Sequence, residues 1–337
     1  MKIAVLSPIA WRTPPENYGP WEQVASNITE GLVEQGVDVT LFATANSLTN
    51  AKLEAVCDQP YATNPEIDPK VWESLHISHL MEQAHQFDLI HNNYDFLPLT
   101  YSKLIDTPML TTIHGFSSPA ILPVYKKYNT STYYVSISDS DRSPQLDYIK
   151  TIYNGIAVDD FTFNDQPENY LLFFGRIHPD KGTYEAIQIA QKTNKQLIIA
   201  GLIQDEPYYN EKVKPYLSES IRYVGNVGPE QRDSLLGKAS ALLHPVHFEE
   251  PFGLSVAEAM LCGTPVIAFK KGSMKELILD QKTGFLVHSL EQAIEAVQDI
   301  HTIDRGECRR HAVGNFSRKK MIDAYIEVYE EILRAGR

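Results

Sequence analysis

Short apolar runs alternate along the whole chain with longer stretches in which apolar positions recur at helical spacing. The runs suit buried strands and the stretches suit helices with one covered face, so the alternation predicts parallel sheets with covering helices. In the first half the pattern predicts strands at 3–6, 37–43, 89–91, 109–113, 133–137 and 149–153. Between the first two lies a helix: Pro20 suits its first turn, Trp21, Val24, Ala25, Ile28 and Leu32 keep one face apolar, and Gly36 stops it. At 157–169 Asp, Asn and Pro displace apolar residues, which marks a linker. The alternation then restarts, with strands predicted at 170–174, 197–200, 221–224, 241–244, 266–269 and 285–287. A helix over 319–334 carries Met321, Ile322, Tyr325, Val328, Tyr329 and Ile332 on one face, suited to crossing back onto the first domain.

The expected architecture is therefore α/β, with two Rossmann-like doubly wound domains at 1–160 and 165–315, and a last segment, 316–337, packing on the first. Ligands of such sheets bind at the carboxyl ends of the strands, which places the expected site in a central cleft faced by both domains.

Composition narrows the partners. With 337 residues, 43% hydrophobic and 22% charged, the chain can build two ordinary cores. A net charge of −13 opposes nucleic-acid binding, which needs a basic face. Arg309, Arg310, His311, Arg318, Lys319 and Lys320 form the one basic cluster and are expected on a solvated helix face. Cys57, Cys262 and Cys308 have neither disulfide-framework nor zinc-ligand spacing, which fits a reducing, cytoplasmic setting. The apolar opening MKIAVLSPIA runs straight into WRTPPENYGP and is expected to be a first strand rather than a signal peptide; no run approaches the roughly 18 apolar residues of a membrane span.

Candidate chemistry concentrates in EPFGLSVAE, where Glu250 and Glu258 bracket the start of a helix expected from Gly253 to Gly263. Glu258 falls among Leu254, Val256, Ala257, Met260 and Leu261, where burying an ionised carboxylate costs on the order of several kcal/mol unless a partner meets it. That partner is either a polar ligand or a structural Lys or Arg. The backbone N–H groups of Phe252, Gly253 and Leu254 at the helix start favour a phosphate. Acids for hydroxyls beside an anion site suggest a sugar nucleotide. In GRIHPDKG, Arg176 and Lys181 follow a strand end and can clamp a diphosphate.

These segments carry a resemblance. GRIHPDKG, then HFEEPFGLSVAEAMLCGTPVIAFKKGSMKELI and TGFLV, resemble the second domain of the retaining glycosyltransferases of family 4, which have the two-domain GT-B fold. GPWEQVASNITEGLVEQGVDVTLFA, TTIHG, SISDSDR and IYNGI extend the resemblance over the first domain. It implies that Glu250 binds donor-sugar hydroxyls, that Glu258 holds the nucleotide ribose, and that Arg176 and Lys181 neutralise the diphosphate with help from the 252–254 backbone. It also implies that His114 faces the donor sugar, that Glu22 is the family acid, and that base recognition runs through the backbone near Val224 and Asn226. The family's paired glycines read here as Gly19 followed by Pro20, which removes one backbone donor. Ala157 stands where the family more often has Asp, and Asn154 and Gly155 are expected to turn the chain. Glu276 matches a family acid near the donor or simply favours a helix start. Arg12, Tyr18, Glu22 and Arg142 are the acceptor-side candidates, with Trp11 and Trp21 either beside them or in the core.

The function so implied is retaining transfer of a hexose from a UDP- or GDP-sugar to a hydroxyl of a soluble acceptor, with no metal and no cofactor beyond the co-substrate. A sugar phosphorylase or sugar-nucleotide epimerase on the same fold, and a non-catalytic sugar-nucleotide-binding subunit, are the alternatives.

Overall fold

A computed structural model describes residues 1–116 and 118–335. The chain divides into two compact units, the first built from residues 1–155 and the last helix, the second from residues 156–317.

The first unit runs β1 (Lys2–Leu6), α1 (Pro20–Glu34), β2 (Asp38–Phe42), β3 (Lys52–Glu54), α2 (Pro69–Glu82), β4 (Leu89–Asn92), β5 (Met109–Ile113), α3 (Leu122–Tyr128), β6 (Tyr133–Ser136) and β7 (Lys150–Thr151). Its seven strands are all parallel in the order β3-β2-β1-β4-β5-β6-β7. Strand order reverses at β1, whose Ile3 pairs with both Val39 of β2 and Leu89 of β4. Loops leaving the carboxyl ends of β1 and β4 therefore diverge and open a crevice. One face of the sheet is closed by Leu6, Phe42, Leu80, Ile90, Tyr125 and Tyr134.

The helix Arg318–Ala335 completes this unit, as its apolar stripe suggests: Met321, Ile322, Tyr325, Val328, Tyr329 and Ile332 are all buried. Gly31 of α1 lets it come close, since a Cβ there would sit 2.5 Å from Ile322 Cγ1. A buried polar ring adds direction to that packing. Tyr329 Oη lies 2.6 Å from His91 Nδ1, His91 Nε2 lies 2.7 Å from Thr112 Oγ1, and Tyr325 Oη lies 2.8 Å from the same hydroxyl.

The second unit contains β8 (Tyr170–Phe174), α4 (Thr183–Thr193), β9 (Gln196–Ala200), α5 (Glu206–Tyr208), β10 (Ile221–Tyr223), α6 (Pro229–Lys238), β11 (Ala241–His244), α7 (Leu254–Leu261), β12 (Val266–Phe269), α8 (Met274–Leu277), β13 (Gly284–Val287), α9 (Leu290–Asp299) and α10 (Arg305–Phe316). Its strands are again all parallel, ordered β10-β9-β8-β11-β12-β13, so this unit's crevice opens between β8 and β11.

The strands expected from the sequence are present, with three differences. The edge strand β3 was not expected, because its sequence Lys-Leu-Glu has no apolar run. The strand expected at 149–153 pairs over only Lys150–Thr151, and 37–43 shortens to Asp38–Phe42. The basic cluster is not one solvated face. It divides between α10 and α11 (Arg318–Ala335), and Arg309 and His311 turn inward to the carbonyls of Phe161, at 2.8 Å, and Leu277, at 2.8 Å. No described helix is long and apolar enough to cross a membrane.

Candidate functional site

In the second unit the loop leaving β8 and the loop leaving β11 interlock at the carboxyl edge. Gly182 makes this possible: at φ +75° it takes the left-handed conformation, and a Cβ would meet the Pro245 carbonyl oxygen at 2.0 Å. The His247 N–H donates to the Asp180 carbonyl at 2.8 Å, tying the same two loops. Lys181 is thereby delivered to Glu250, with Nζ 2.6 Å from Oε2. His244, the last residue of β11, places Nε2 3.3 Å from the same oxygen. The Lys181 ammonium also lies 4.6 Å from the centre of the Phe248 ring.

Glu250 is only 7% exposed, and burial by itself would push its pKa up. The Lys181 charge and the adjacent His244 ring outweigh burial and hold the group down at about 2. It is therefore a permanent acceptor at neutral pH. Arg176, five positions before Lys181, is anchored by Asp180, with Nη2 2.9 Å from Oδ2, and by the side-chain Oε1 of Gln204. Two cations thus line one rim, Arg176 held by its neighbours and Lys181 on a carboxylate.

Gly253 caps α7 at φ +86° with no side-chain hydrogen bond, and a Cβ there would press on Met274 Cε at 2.8 Å. Phe252 is buried, Leu254 opens the helix, and the turn before α8 braces the segment: the Ser273 N–H donates to the Glu250 carbonyl at 2.9 Å and its hydroxyl to the Phe252 carbonyl at 2.8 Å. Glu258, 5% exposed, has found a protein partner, with Oε1 3.2 Å from Arg232 Nη1. Burial raises its pKa above the ordinary carboxylate range, and Arg232 opposes that rise. Val224 and Asn226 are half-buried where β10 ends, and the Val224 N–H donates to the Ile199 carbonyl at 2.9 Å.

In the first unit the loop after β1 folds over the start of α1. Glu22 lies one turn into that helix, is 3% exposed and accepts the Trp11 N–H at 3.1 Å. Burial lifts its pKa to about 7 against the pull of the N–H groups of Glu22 and Trp11. Gly19 sits between Glu22 and Trp11, with Pro20 opening the helix. Tyr18 packs edge-on to Trp11 at 6.0 Å, and Arg12 lies 3.8 Å from Glu16. Arg142 is exposed and stacks on its own loop's Tyr148, 4.7 Å from the ring centre. Asn154 is buried, and Gly155 accepts from Asn27 Nδ2 at 2.9 Å.

His114 follows β5, is 9% exposed and stacks on Trp21 at 5.8 Å. Asn93 fixes its tautomer. The Asn93 amide nitrogen points to the His91 carbonyl at 3.5 Å, which turns its oxygen to His114 Nε2 at 3.0 Å. Nε2 therefore carries the proton, and Nδ1 is a buried acceptor without a protein partner. Burial pushes the ring pKa down to about 3, so the imidazole stays neutral.

The structure thus joins Lys181 to Glu250 and puts Arg176 on the loop that carries Lys181. It gives Glu258 an arginine partner, Arg232, that the sequence did not single out. His244, Asn93, Asp180 and Gln204 were missed as well, because each gains its place only by pairing across loops.

Two parallel Rossmann sheets, one with a cation–carboxylate pair in its crevice, define the class as a GT-B glycosyltransferase. The chain matches the family model described as glycosyl transferases group 1 over residues 158–320 and that of glycosyltransferase family 4 over residues 21–160. Together the two matches span residues 21–320 and support a glycosyltransferase of the family 4 type. An uncharacterised 41.2 kDa protein of the cps region of Klebsiella pneumoniae is 28% identical over 219 residues, 59% of this chain and 60% of that protein, so the match spans less than two thirds of the relative's length. The glycogen synthase of Mycobacterium tuberculosis is 23% identical over 98% of this chain and 95% of its own. Among solved structures, AviGT4, a glycosyltransferase involved in avilamycin A biosynthesis, superposes with a TM-score of 0.77 at 23% identity, covering 99% of this chain and 98% of its own. Anabaena HepE in complex with UDP-glucose gives 0.75 at 20% identity, covering 98% and 100%.

Proposed function

We propose that this glycosyltransferase moves a hexose from a nucleoside diphosphate sugar, UDP- or GDP-linked, to a hydroxyl of a soluble acceptor with retention at the anomeric carbon. The observation that carries the reading is the Lys181–Glu250 pair, 2.6 Å apart in the crevice between β8 and β11. A diphosphate entering there gives Lys181 and Arg176 an anion to neutralise, and the uncapped start of α7 adds backbone donors. Glu250, relieved of its lysine, accepts from sugar hydroxyls. Glu258 accepts from the ribose, and the 224–226 backbone meets the base.

In the first unit His114 is a neutral ring whose Nδ1 accepts from a hydroxyl. Gly19 and Glu22 shape the loop that Trp11 and Tyr18 share, with Arg12 and Arg142 as further acceptor-side candidates. In the step itself the bond from the anomeric carbon to the diphosphate oxygen breaks, and the acceptor oxygen bonds to the same face. The acceptor proton goes to the departing phosphate oxygen. Charge neutralisation by Arg176 and Lys181 supports a reaction that does not require a divalent ion.

The test is incubation of the purified chain with UDP- and GDP-hexoses and a panel of soluble saccharides, with products followed by proton NMR. Release of nucleoside diphosphate together with a glycoside of the donor's anomeric configuration, at a rate unchanged by EDTA, is the expected result. An inverted product would overturn retention, and loss of activity in EDTA would overturn metal independence. A sugar phosphate or an epimerised donor as the product would overturn transfer.

A further inference from the structure

Arg232 lies in the first turn of α6, just past the loop that leaves β10, and its N–H donates to the Gly228 carbonyl at 2.9 Å. Its guanidinium is held from two sides. Nη1 meets Glu258 Oε1 at 3.2 Å, and the Phe161 ring lies beneath the guanidinium at 5.2 Å. Nε is buried and finds no hydrogen-bond partner. A buried guanidinium N–H without an acceptor is costly. The charged groups around Glu258 leave Arg232 as its cation. Asp160 bears on Glu258 with like charge, and Asp233 is taken up by the Cys262 thiol at 3.5 Å, while Arg309 bonds the Leu261 carbonyl.

We propose that Arg232 is a specificity-determining residue which, with Glu258, reads the 2′,3′-diol of the nucleotide ribose; this rests on the reading that Glu258 holds the ribose. A ribose hydroxyl both donates and accepts. Glu258 accepts its proton, and the Arg232 Nε–H supplies the donor that a carboxylate cannot. The pair is matched to vicinal hydroxyls, and a nucleotide lacking one leaves Nε unanswered. Arg232 also opposes the burial that favours the protonated form of Glu258.

The experiment is calorimetric binding of UDP and 2′-deoxy-UDP to the full chain and to Arg232→Lys and Arg232→Met. The wild type is expected to prefer the ribonucleotide by at least about tenfold, the worth of one hydrogen bond to a charged group. Arg232→Lys keeps a cation for Glu258 but lacks the Nε donor, so the preference is expected to fall by at least about threefold with an unchanged melting temperature. Arg232→Met is expected to abolish it, and if that variant does not fold, the lysine variant decides. A wild-type preference that survives in Arg232→Lys would overturn the role of Arg232 while leaving Glu258 on the ribose. No preference in the wild type would overturn the ribose reading itself, and this inference with it.

Discussion

Three buried glutamates in this chain end in three electrostatic states, and their neighbours decide which. Glu250 meets Lys181 and His244 and is held at about 2, Glu258 meets one arginine and stays raised, and Glu22 meets only N–H groups and rises to about 7. The last shift makes a stability prediction. A carboxyl whose pKa is higher in the fold than in the open chain binds its proton more tightly when folded, so stability declines as pH rises from 4.5 through 7. Glu22→Gln keeps an oxygen for the Trp11 N–H and removes the titration. It is expected to be more stable than the wild type by about 3 kcal/mol near pH 8, with the difference shrinking toward zero below about pH 4. Chemical denaturation at both pH values measures this, and a constant difference would show that Glu22 does not titrate in that range. Residue types at the site were legible where a local motif fixes them, as with Lys181 and Glu250. Arg232 and His244 were not, since an arginine on a polar helix and a histidine ending a strand look ordinary until the fold brings a glutamate to each.

At the scale of elements, strands buried on both sides announced themselves by their apolar runs, whereas β3 at one sheet edge did not. An edge strand has one bonded neighbour and needs no long apolar run, so Lys52–Glu54 read as loop, and at the other edge the strand expected at 149–153 pairs over only Lys150–Thr151. The last helix was legible because its stripe is uninterrupted. Its partners were not, for the ring formed by His91, Thr112, Tyr325 and Tyr329 joins residues more than two hundred positions apart. The site depends most on the interlocked loops after β8 and β11. Gly182→Ala adds a Cβ 2.0 Å from a carbonyl oxygen at a left-handed position, so the two loops must separate. A loss of about 1–3 kcal/mol, seen as a melting temperature lower by about 3–10 °C, is expected together with weaker nucleotide binding. A variant with wild-type melting and binding would mean that the interlock does not position Lys181.

On the scale of the whole molecule, the chain uses one topology twice. Both units reverse strand order beside their first strand, and in both the residues singled out from sequence gather at the carboxyl edge, around β1 and β5 in one and around β8 and β11 in the other. The second unit carries the charged chemistry, and the first offers aromatic rings, a neutral histidine and a buried acid. In a chain of net charge −13, Arg176 and Lys181 each rest on a carboxylate at one rim, a local arrangement that suits a small anion over an extended one. We propose that this rim binds a nucleoside diphosphate. The most direct test is calorimetric titration of UDP and GDP into the wild type and Lys181→Met near neutral pH. Saturable wild-type binding of one nucleotide, weakened at least about tenfold in the variant, is the expected result. Equal affinities in the two proteins, or no wild-type binding of either nucleotide, would contradict the account.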